Sequence, residues 1–321
     1  MGDRLSVHTA LSIRRAAVAF QSRENVMSSE SGSLFVVATP IGNLDDISKR
    51  AIDVLASVDR ILAEDTRHSA RLLSRYGISS GVNAFHEHNE RKLAPAIIRH
   101  IQSGENVALI SDAGTPLIND PGFHLLKLAH ERGIRVVPIP GPSAVTAALS
   151  VCGLATDRFF FEGFLPSRAQ QRRARLETLA KSTHTIVLLE SPHRVLAVFE
   201  DLIGVFGGDR RATIAKELTK LFETVRTDSL ETLYAWLAEN TERQKGEFVI
   251  VVSGARERPA GQVDEEQRAL LALLLEETPL KTAVRLAARI SGANRNSLYE
   301  AALRLRKARD PAAIHGRKRT P

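Results

Sequence analysis

The sequence predicts an α/β protein in two halves, a parallel-sheet N-terminal half and a mixed-sheet C-terminal half, with a small helical domain behind them. Three observations carry this. Short apolar runs recur through residues 34–252, most of them separated by ten or more residues of helical periodicity, the pattern of βαβ units. In the second half two such runs follow each other with only a short link, which marks an antiparallel pair. Past a Pro- and Gly-containing linker at 254–263, three helical patterns follow.

Leu34-Phe35-Val36-Val37-Ala38 has no polar alternation, as expected of a parallel strand covered on both faces. A helix near 45–57 leads to the strand Arg60-Ile61-Leu62-Ala63. Helices near 67–76 and 90–103 lead to Val107-Ala108-Leu109-Ile110, and one near 122–132 leads to Arg135-Val136-Val137-Pro138-Ile139. After Gly153 the strands are Phe159–Phe161, Thr185–Leu189, Ala212–Ala215, Phe222–Val225 and Phe248–Val252, with helices near 168–180, 192–203 and 229–240. The halves are therefore 33–150 and 151–255. In 264–321, helical patterns at 265–277, 280–290 and 295–307 follow, and Ser291-Gly292-Ala293-Asn294 between the last two gives the outline of a helix-turn-helix. Residues 1–32 read as a flexible extension, with Met27 as an alternative start.

The chain has 321 residues, 43% hydrophobic and 25% charged, which excludes a wholly disordered protein. The net charge of +7 is uneven: residues 262–321 hold 12 Lys/Arg against 7 Asp/Glu, and the rest holds 32 against 30. A basic tail on a nearly neutral body suits a polyanionic partner or serves solubility. Cys152 is the only cysteine, so no intrachain disulfide and no multi-cysteine zinc site can form. No apolar run approaches the ~18 residues of a membrane span. The run after Arg14-Arg15 is shorter than a signal sequence needs, so a cytoplasmic protein without a membrane partner is expected.

Four loops each follow a strand: 39–46, 111–122, 138–144 and 190–194. In open parallel sheets ligands bind beyond the carboxyl ends of the strands. Glycine admits a ligand close to the backbone and proline fixes the loop's shape. The second loop spends twelve residues where ~2–6 suffice, and the third holds three prolines within five residues. Ordinary turn chemistry explains any one of these loops; together they outline a shared cleft. No dinucleotide fingerprint, phosphate-binding P-loop or nucleophile elbow occurs.

His86 and His88 would share a face on a strand, but no third ligand stands at a set spacing, so a polar loop is expected there and no metal. Alternation through Lys216-Glu217-Leu218-Thr219-Lys220 puts the two lysines on one side and Glu217 on the other, either a polar edge beside the cleft or a charged hairpin end. Arg168, Arg172, Arg173 and Arg175 crowd one helix, which could track phosphates or form a solvated face. Arg295, Arg304, Arg306 and Lys307 give the last helix the same two readings.

Val37 through Ser48, Glu64-Asp65-Thr66-Arg67, Ser111 through Gly122, Pro140-Gly141-Pro142-Ser143-Ala144, Glu190-Ser191-Pro192-His193-Arg194, Lys216 through Lys220 and Gly246 through Val251 stand in a fixed order. In that order and spacing, over about 34–255, the chain resembles the tetrapyrrole methylase superfamily, and within it the branch that methylates small-subunit ribosomal RNA. The resemblance implies that family's two-domain fold, a homodimer, and S-adenosyl-L-methionine as cofactor in the cleft. It also implies methylation of a cytidine ribose 2′-oxygen in 16S ribosomal RNA, with the RNA or the small ribosomal subunit as partner. By the same similarity the cofactor would contact Pro40, Asp112, Gly114, Thr115, Ser143 and Ala144, with Leu189 and Ala215 flanking the adenosine. Asn119 departs from the expected signature.

A sulfonium donor needs in-line placement and no metal. A 2′-hydroxyl is a poor acid that needs a base or cation nearby, for which Glu190, Lys216 and Lys220 are the candidates. Two rival functions remain: the same fold acting on a tetrapyrrole precursor, and a non-catalytic RNA-binding assembly factor.

Overall fold

The computed structural model describes residues 31–255, 263 and 265–309. The readings made for residues 1–30, for most of the 254–263 linker and for the basic residues beyond 309 lie outside the described residues. Strands β1 (Ser33–Val37), β2 (Arg60–Ala63), β3 (Gly81–Ala84), β4 (Val107–Ile110) and β5 (Arg135–Ile139) form an all-parallel sheet in the order β3-β2-β4-β1-β5.

Helices α1 (Lys49–Ser57) and α2 (Thr66–Arg75) cover one face, packing Leu55, Leu72 and Leu73 with Ile61, Ala108 and Ile110. Helices α3 (Glu87–Gln102) and α4 (Phe123–Glu131) cover the other, packing Ile97, Ile101 and Leu125 with Leu34, Leu62 and Leu109. With helices on both sides, β4 is buried along its whole length.

Helix α5 (Ala144–Val151) leads into the second sheet, whose strands are β6 (Phe159–Phe164), β7 (Thr185–Glu190), β8 (Arg211–Lys216), β9 (Thr224–Ser229) and β10 (Phe248–Val252). Their order is β6-β7-β10-β8-β9; β6 runs parallel to β7 and the other pairs are antiparallel. Helices α6 (Ala169–Leu179), α7 (Val195–Phe206) and α8 (Leu230–Glu239) bury one face of this sheet. Its other face packs Val187, Ala215, Val249 and Val251 against Val145, Ala148 and Cys152 of the α5 region and Ile41 of the first loop. That apolar seam joins the two halves.

The described residues divide into two compact units, one ending at Gly254 and the other starting at Ala255. The second holds α9 (Glu265–Glu277), α10 (Leu280–Ser291) and α11 (Arg295–Arg309) around Leu271, Val284, Ala287 and Leu298. Gly292, at φ 68°, ends α10 in the left-handed conformation that glycine adopts readily, and the Asn294 side chain accepts the Asn296 amide at 2.9 Å to start α11. No helix among the described residues is long and apolar enough to cross a membrane.

Three elements differ from expectation. β3 escapes a hydrophobicity reading because this exposed edge strand, Gly81-Val82-Asn83-Ala84, has little to bury. α5 is not announced by the sequence, since it starts close behind Pro140-Gly141-Pro142. β9 begins at Thr224 rather than Phe222, because the connection from β8 is a longer, tightly turned segment.

Candidate functional site

The first three loops are stitched together by backbone and hydroxyl groups. Thr39 donates its amide to the Gly114 carbonyl at 2.8 Å and accepts the Gly114 amide at 3.0 Å, while its hydroxyl reaches the Ser111 carbonyl at 3.1 Å. The Thr115 hydroxyl donates to the Pro142 carbonyl at 3.1 Å. Gly114 holds φ 84°, and a Cβ there would sit 3.4 Å from Ile41. The long second loop is thus a rigid spacer between its neighbours.

Beside these loops, between the two sheets, lies a cleft of about 240 Å³. Ile41, Ala113 and Ala144 wall it on the first-sheet side, and Leu189, Ala215 and Val249 on the second. Glu190-Ser191-Pro192, Leu218, Glu247, Phe248 and Phe164 complete the lining. Of the residues expected from the sequence, Ala144, Leu189, Glu190 and Ala215 line the cleft. Pro40, Asp112, Gly114 and Ser143 each adjoin a lining residue along the chain, and Thr115 stands one position further, tied to the third loop. Phe164, Leu218 and Glu247 were missed.

Glu190 is buried, yet one of its oxygens accepts the Ser191 amide at 2.7 Å and the other meets Arg194 at 3.1 Å. Arg194 also donates to the Leu165 carbonyl at 2.7 Å. The two lysines do not line the cleft. Lys216 is buried at the end of β8 and donates to the Glu242 carbonyl at 3.0 Å. The alternation expected through 216–220 fails: the strand stops at Lys216, and Glu217 and Thr219 adopt φ 51° and 65°. The turn is pinned by Lys220, which contacts Glu217 and Glu247 at 3.0 Å each. Partial burial pulls the Lys220 pKa down, but the Glu247 and Glu217 carboxylates outweigh it and hold the ammonium above its ordinary value. Lys220 is a fixed cation and therefore a poor base.

Three carboxyl groups gather near the second loop. Asp112 accepts the Asp65 amide at 2.9 Å on one oxygen, leaving the other for a ligand. Burial pushes Asp120 up to about 6; the Ser111 hydroxyl works against this and the Asp112 charge adds to it. Glu64 is raised by burial, then by the charges of Asp112 and Asp120.

The basic helix is a correction. Arg172 is buried and pairs with Asp201 at 2.6 Å, Arg173 pairs with the same carboxylate at 3.2 Å, and Arg175 pairs with Glu162 at 2.7 Å. These charges hold the helix to α7 through Asp201 and to β6 through Glu162, and of the four arginines only Arg168 is left exposed without an ion pair. Among the described residues no group of three His, Cys, Asp or Glu side chains could hold a metal ion.

A cleft of small and aliphatic walls between a parallel and a mixed sheet, edged by strand-terminal loops, defines a two-sheet α/β ligand-binding protein. The profile of the Tetrapyrrole (Corrin/Porphyrin) Methylases matches residues 33–234, and that of the RsmI C-terminal HTH domain matches 261–306. Over 275 residues the chain is 53% identical to Ribosomal RNA small subunit methyltransferase I of Pseudomonas aeruginosa, covering 85% of this chain and 97% of that one. Its namesake in Escherichia coli O157:H7 is 47% identical over 283 residues, covering 88% and 97%. Among solved structures, the methyltransferase CobJ superposes with TM-score 0.54 at 20% identity, over 72% of this chain and 98% of that one. Diphthine synthase gives 0.53 at 17%, over 70% and 90%; at such identities these two establish the fold alone.

The chain belongs to the tetrapyrrole methylase family, in the branch represented by the ribosomal RNA small subunit methyltransferase I proteins. It is a methyltransferase, and the donor used by this family is S-adenosyl-L-methionine. The cleft suits that group: alanines at 113, 144 and 215 leave room for a flat ring against Leu189, and the free oxygen of Asp112 can accept from a hydroxyl or ammonium.

Proposed function

We propose that this protein methylates a cytidine ribose 2′-oxygen of 16S ribosomal RNA, acting as a homodimer in the cytoplasm. The observation that carries the reading is similarity along nearly the full length of relatives named for small-subunit ribosomal RNA, basic helical tail included. The halves 33–150 and 151–255 act as two domains closing on the cofactor, and 264–321 as an RNA-binding domain.

When bound, S-adenosyl-L-methionine supplies an electrophilic methyl group carried on a sulfonium. Pro40, Gly114 and Thr115 shape the loops around it, Asp112 accepts from its polar groups, and Ser143 and Ala144 close the third side. Leu189 and Ala215 flank the adenosine. Glu190, which lines the cleft at the end of β7, is the base we assign to the ribose hydroxyl, since a base must come within hydrogen-bond reach of the proton it takes. Its carboxylate is held by Ser191 and Arg194 and must turn from them to do so. Lys216 and Lys220 act from behind the wall as cations; Lys220 fastens Glu247, which lines the cleft. The exposed Arg295, Arg304, Arg306 and Lys307 supply charge to hold the phosphate backbone.

Ribose-methylation mapping of 16S ribosomal RNA from cells with and without the protein tests this. One cytidine 2′-O-methyl mark that vanishes with the protein and returns on treatment with purified enzyme and S-adenosyl-L-methionine is expected. An unchanged map overturns the reading.

A further inference from the structure

β6 carries one residue more than its partner. Its pairing with β7 runs Phe159 with Thr185, Phe160 with Ile186 and Phe161 with Val187, then jumps to Gly163 with Leu188 and Phe164 with Leu189. Glu162 is the extra residue, and Arg175 holds its carboxylate at 2.7 Å on both oxygens. Gly163 sits at φ 72°, where a side chain would be strained, and a Cβ there would lie 2.9 Å from Asn119 Oδ1. Glycine is thus required both by the turn of the backbone and by the second loop pressed against it.

One extra residue exchanges the faces of everything downstream. Phe161 packs on the cleft side of the sheet with Val187 and Leu189, whereas Ile186 and Leu188 face the helices. In an unbroken strand Phe164 would share the helix side. The bulge instead pairs it with Leu189 and turns it to the cleft rim, where it stays 48% exposed. The backbone next to it is anchored, because Arg194 bridges the Leu165 carbonyl and Glu190. A bulge beside a cleft that holds an aromatic ring in water is a device for presenting that ring to a ligand.

A phenyl ring offers no hydrogen bond, so it recognises a flat face, and in a nucleic-acid enzyme that face is a nucleobase. Two nucleobases are available, the adenine of the methyl donor and a base of the RNA. The rim position and the exposed Arg168 four residues further on favour the incoming RNA. We propose that Phe164 is the positioning residue on which the target base stacks, bringing its ribose hydroxyl into the cleft beside Leu189. This rests on the RNA methyltransferase reading.

The test uses the full chain with unmodified small ribosomal subunits, radiolabelled S-adenosyl-L-methionine and the variants F164A, F164L, F164Y and F164W. Wild-type transfer is measured first; its absence overturns the functional reading and this proposal with it. With transfer established, F164A and F164L should raise the KM for the subunit about tenfold, as the loss of one base–aromatic stack does. F164Y and F164W should restore it, and calorimetry should give all four variants wild-type affinity for S-adenosylhomocysteine. Fluorescence of F164W, corrected with the wild-type chain for its one native tryptophan, should be quenched by subunits and not by S-adenosylhomocysteine. Two results overturn the proposal: a wild-type KM in F164L, or a loss of S-adenosylhomocysteine affinity in F164A, which would give the ring to the cofactor's adenine.

Discussion

The Thr219 hydroxyl accepts the Asn43 amide at 3.1 Å, tying the loop that leaves β1 to the turn that follows β8. Gly42 makes this closeness possible. A Cβ there would lie 2.5 Å from Lys220 Cγ, 2.7 Å from Thr219 Oγ1 and 3.0 Å from the Leu218 carbonyl oxygen. Lysine can bend away, but the left-handed turn behind it cannot easily move. Gly42→Ala should therefore cost ~1–3 kcal/mol of stability by overpacking. It should also weaken S-adenosylhomocysteine binding, because Ile41 and Leu218 both line the cleft. Calorimetric unfolding and titration check both; wild-type values in each would show that the two loops separate freely.

Asp120 makes stability depend on pH in the direction opposite to a salt-bridged carboxylate. Its pKa rises on folding from 3.8 to about 6, chiefly through burial. The folded chain thus holds this proton more tightly than the unfolded one, and stability falls as pH climbs between those two values. Above about 6 the full cost of the ionised group is present. Asp120→Asn removes that charge. Its melting temperature should exceed wild type at pH 7–8 and approach it at pH 4, where Asp120 is protonated in the folded chain. Melting curves across that range decide it, and a constant offset would assign the effect to something other than titration.

The strands that position the site were legible because their residues leave little choice. Val107 through Ile110 are apolar on both faces and can only be a covered strand. Glu190 and Ala144 follow strands in Pro-containing loops that any turn could explain, and only the ordered set of motifs, through the family it resembles, marked Ala144 as a cofactor neighbour. The Lys216–Lys220 stretch misled, since alternation assumes extended backbone and Glu217 and Thr219 are left-handed. Phe164 was illegible for a different reason: a bulge is a relation between two strands, and Phe159-Phe160-Phe161 alone does not reveal that Leu188 will pair with Gly163. The arginine helix misled likewise, because Asp201, which neutralises Arg172 and Arg173, comes from α7.

Glu190 lines the cleft, with one carboxylate oxygen bound to Ser191 and the other to Arg194, so removing its charge while keeping its size tests the base assignment rather than shape. Glu190→Gln keeps the size and much of the hydrogen bonding. Loss of a positioned base should lower kcat about a hundredfold or more. S-adenosylhomocysteine affinity should stay unchanged, and KM for the small subunit should hardly move. Single-turnover methyl transfer alongside calorimetry separates these, and a wild-type kcat would remove Glu190 from proton transfer.

The tail offers a separate test of the RNA reading. Arg295, Arg304 and Lys307 are exposed on α11, whose buried side is fixed by Leu298 and Ala302. The Glu300 carboxylate stands 3.8 Å from Arg304 with both side chains largely in solvent, a geometry that holds little energy. These cations are therefore available to a polyanion. Each phosphate contact contributes about 0.7–0.9 to the slope of log affinity against log salt. The triple variant R295A/R304A/K307A should thus lower that slope for small-subunit RNA by about 2–3 while leaving S-adenosylhomocysteine binding intact. Filter binding between low and physiological salt measures it, and an unchanged slope would mean that this face of the tail carries no phosphate.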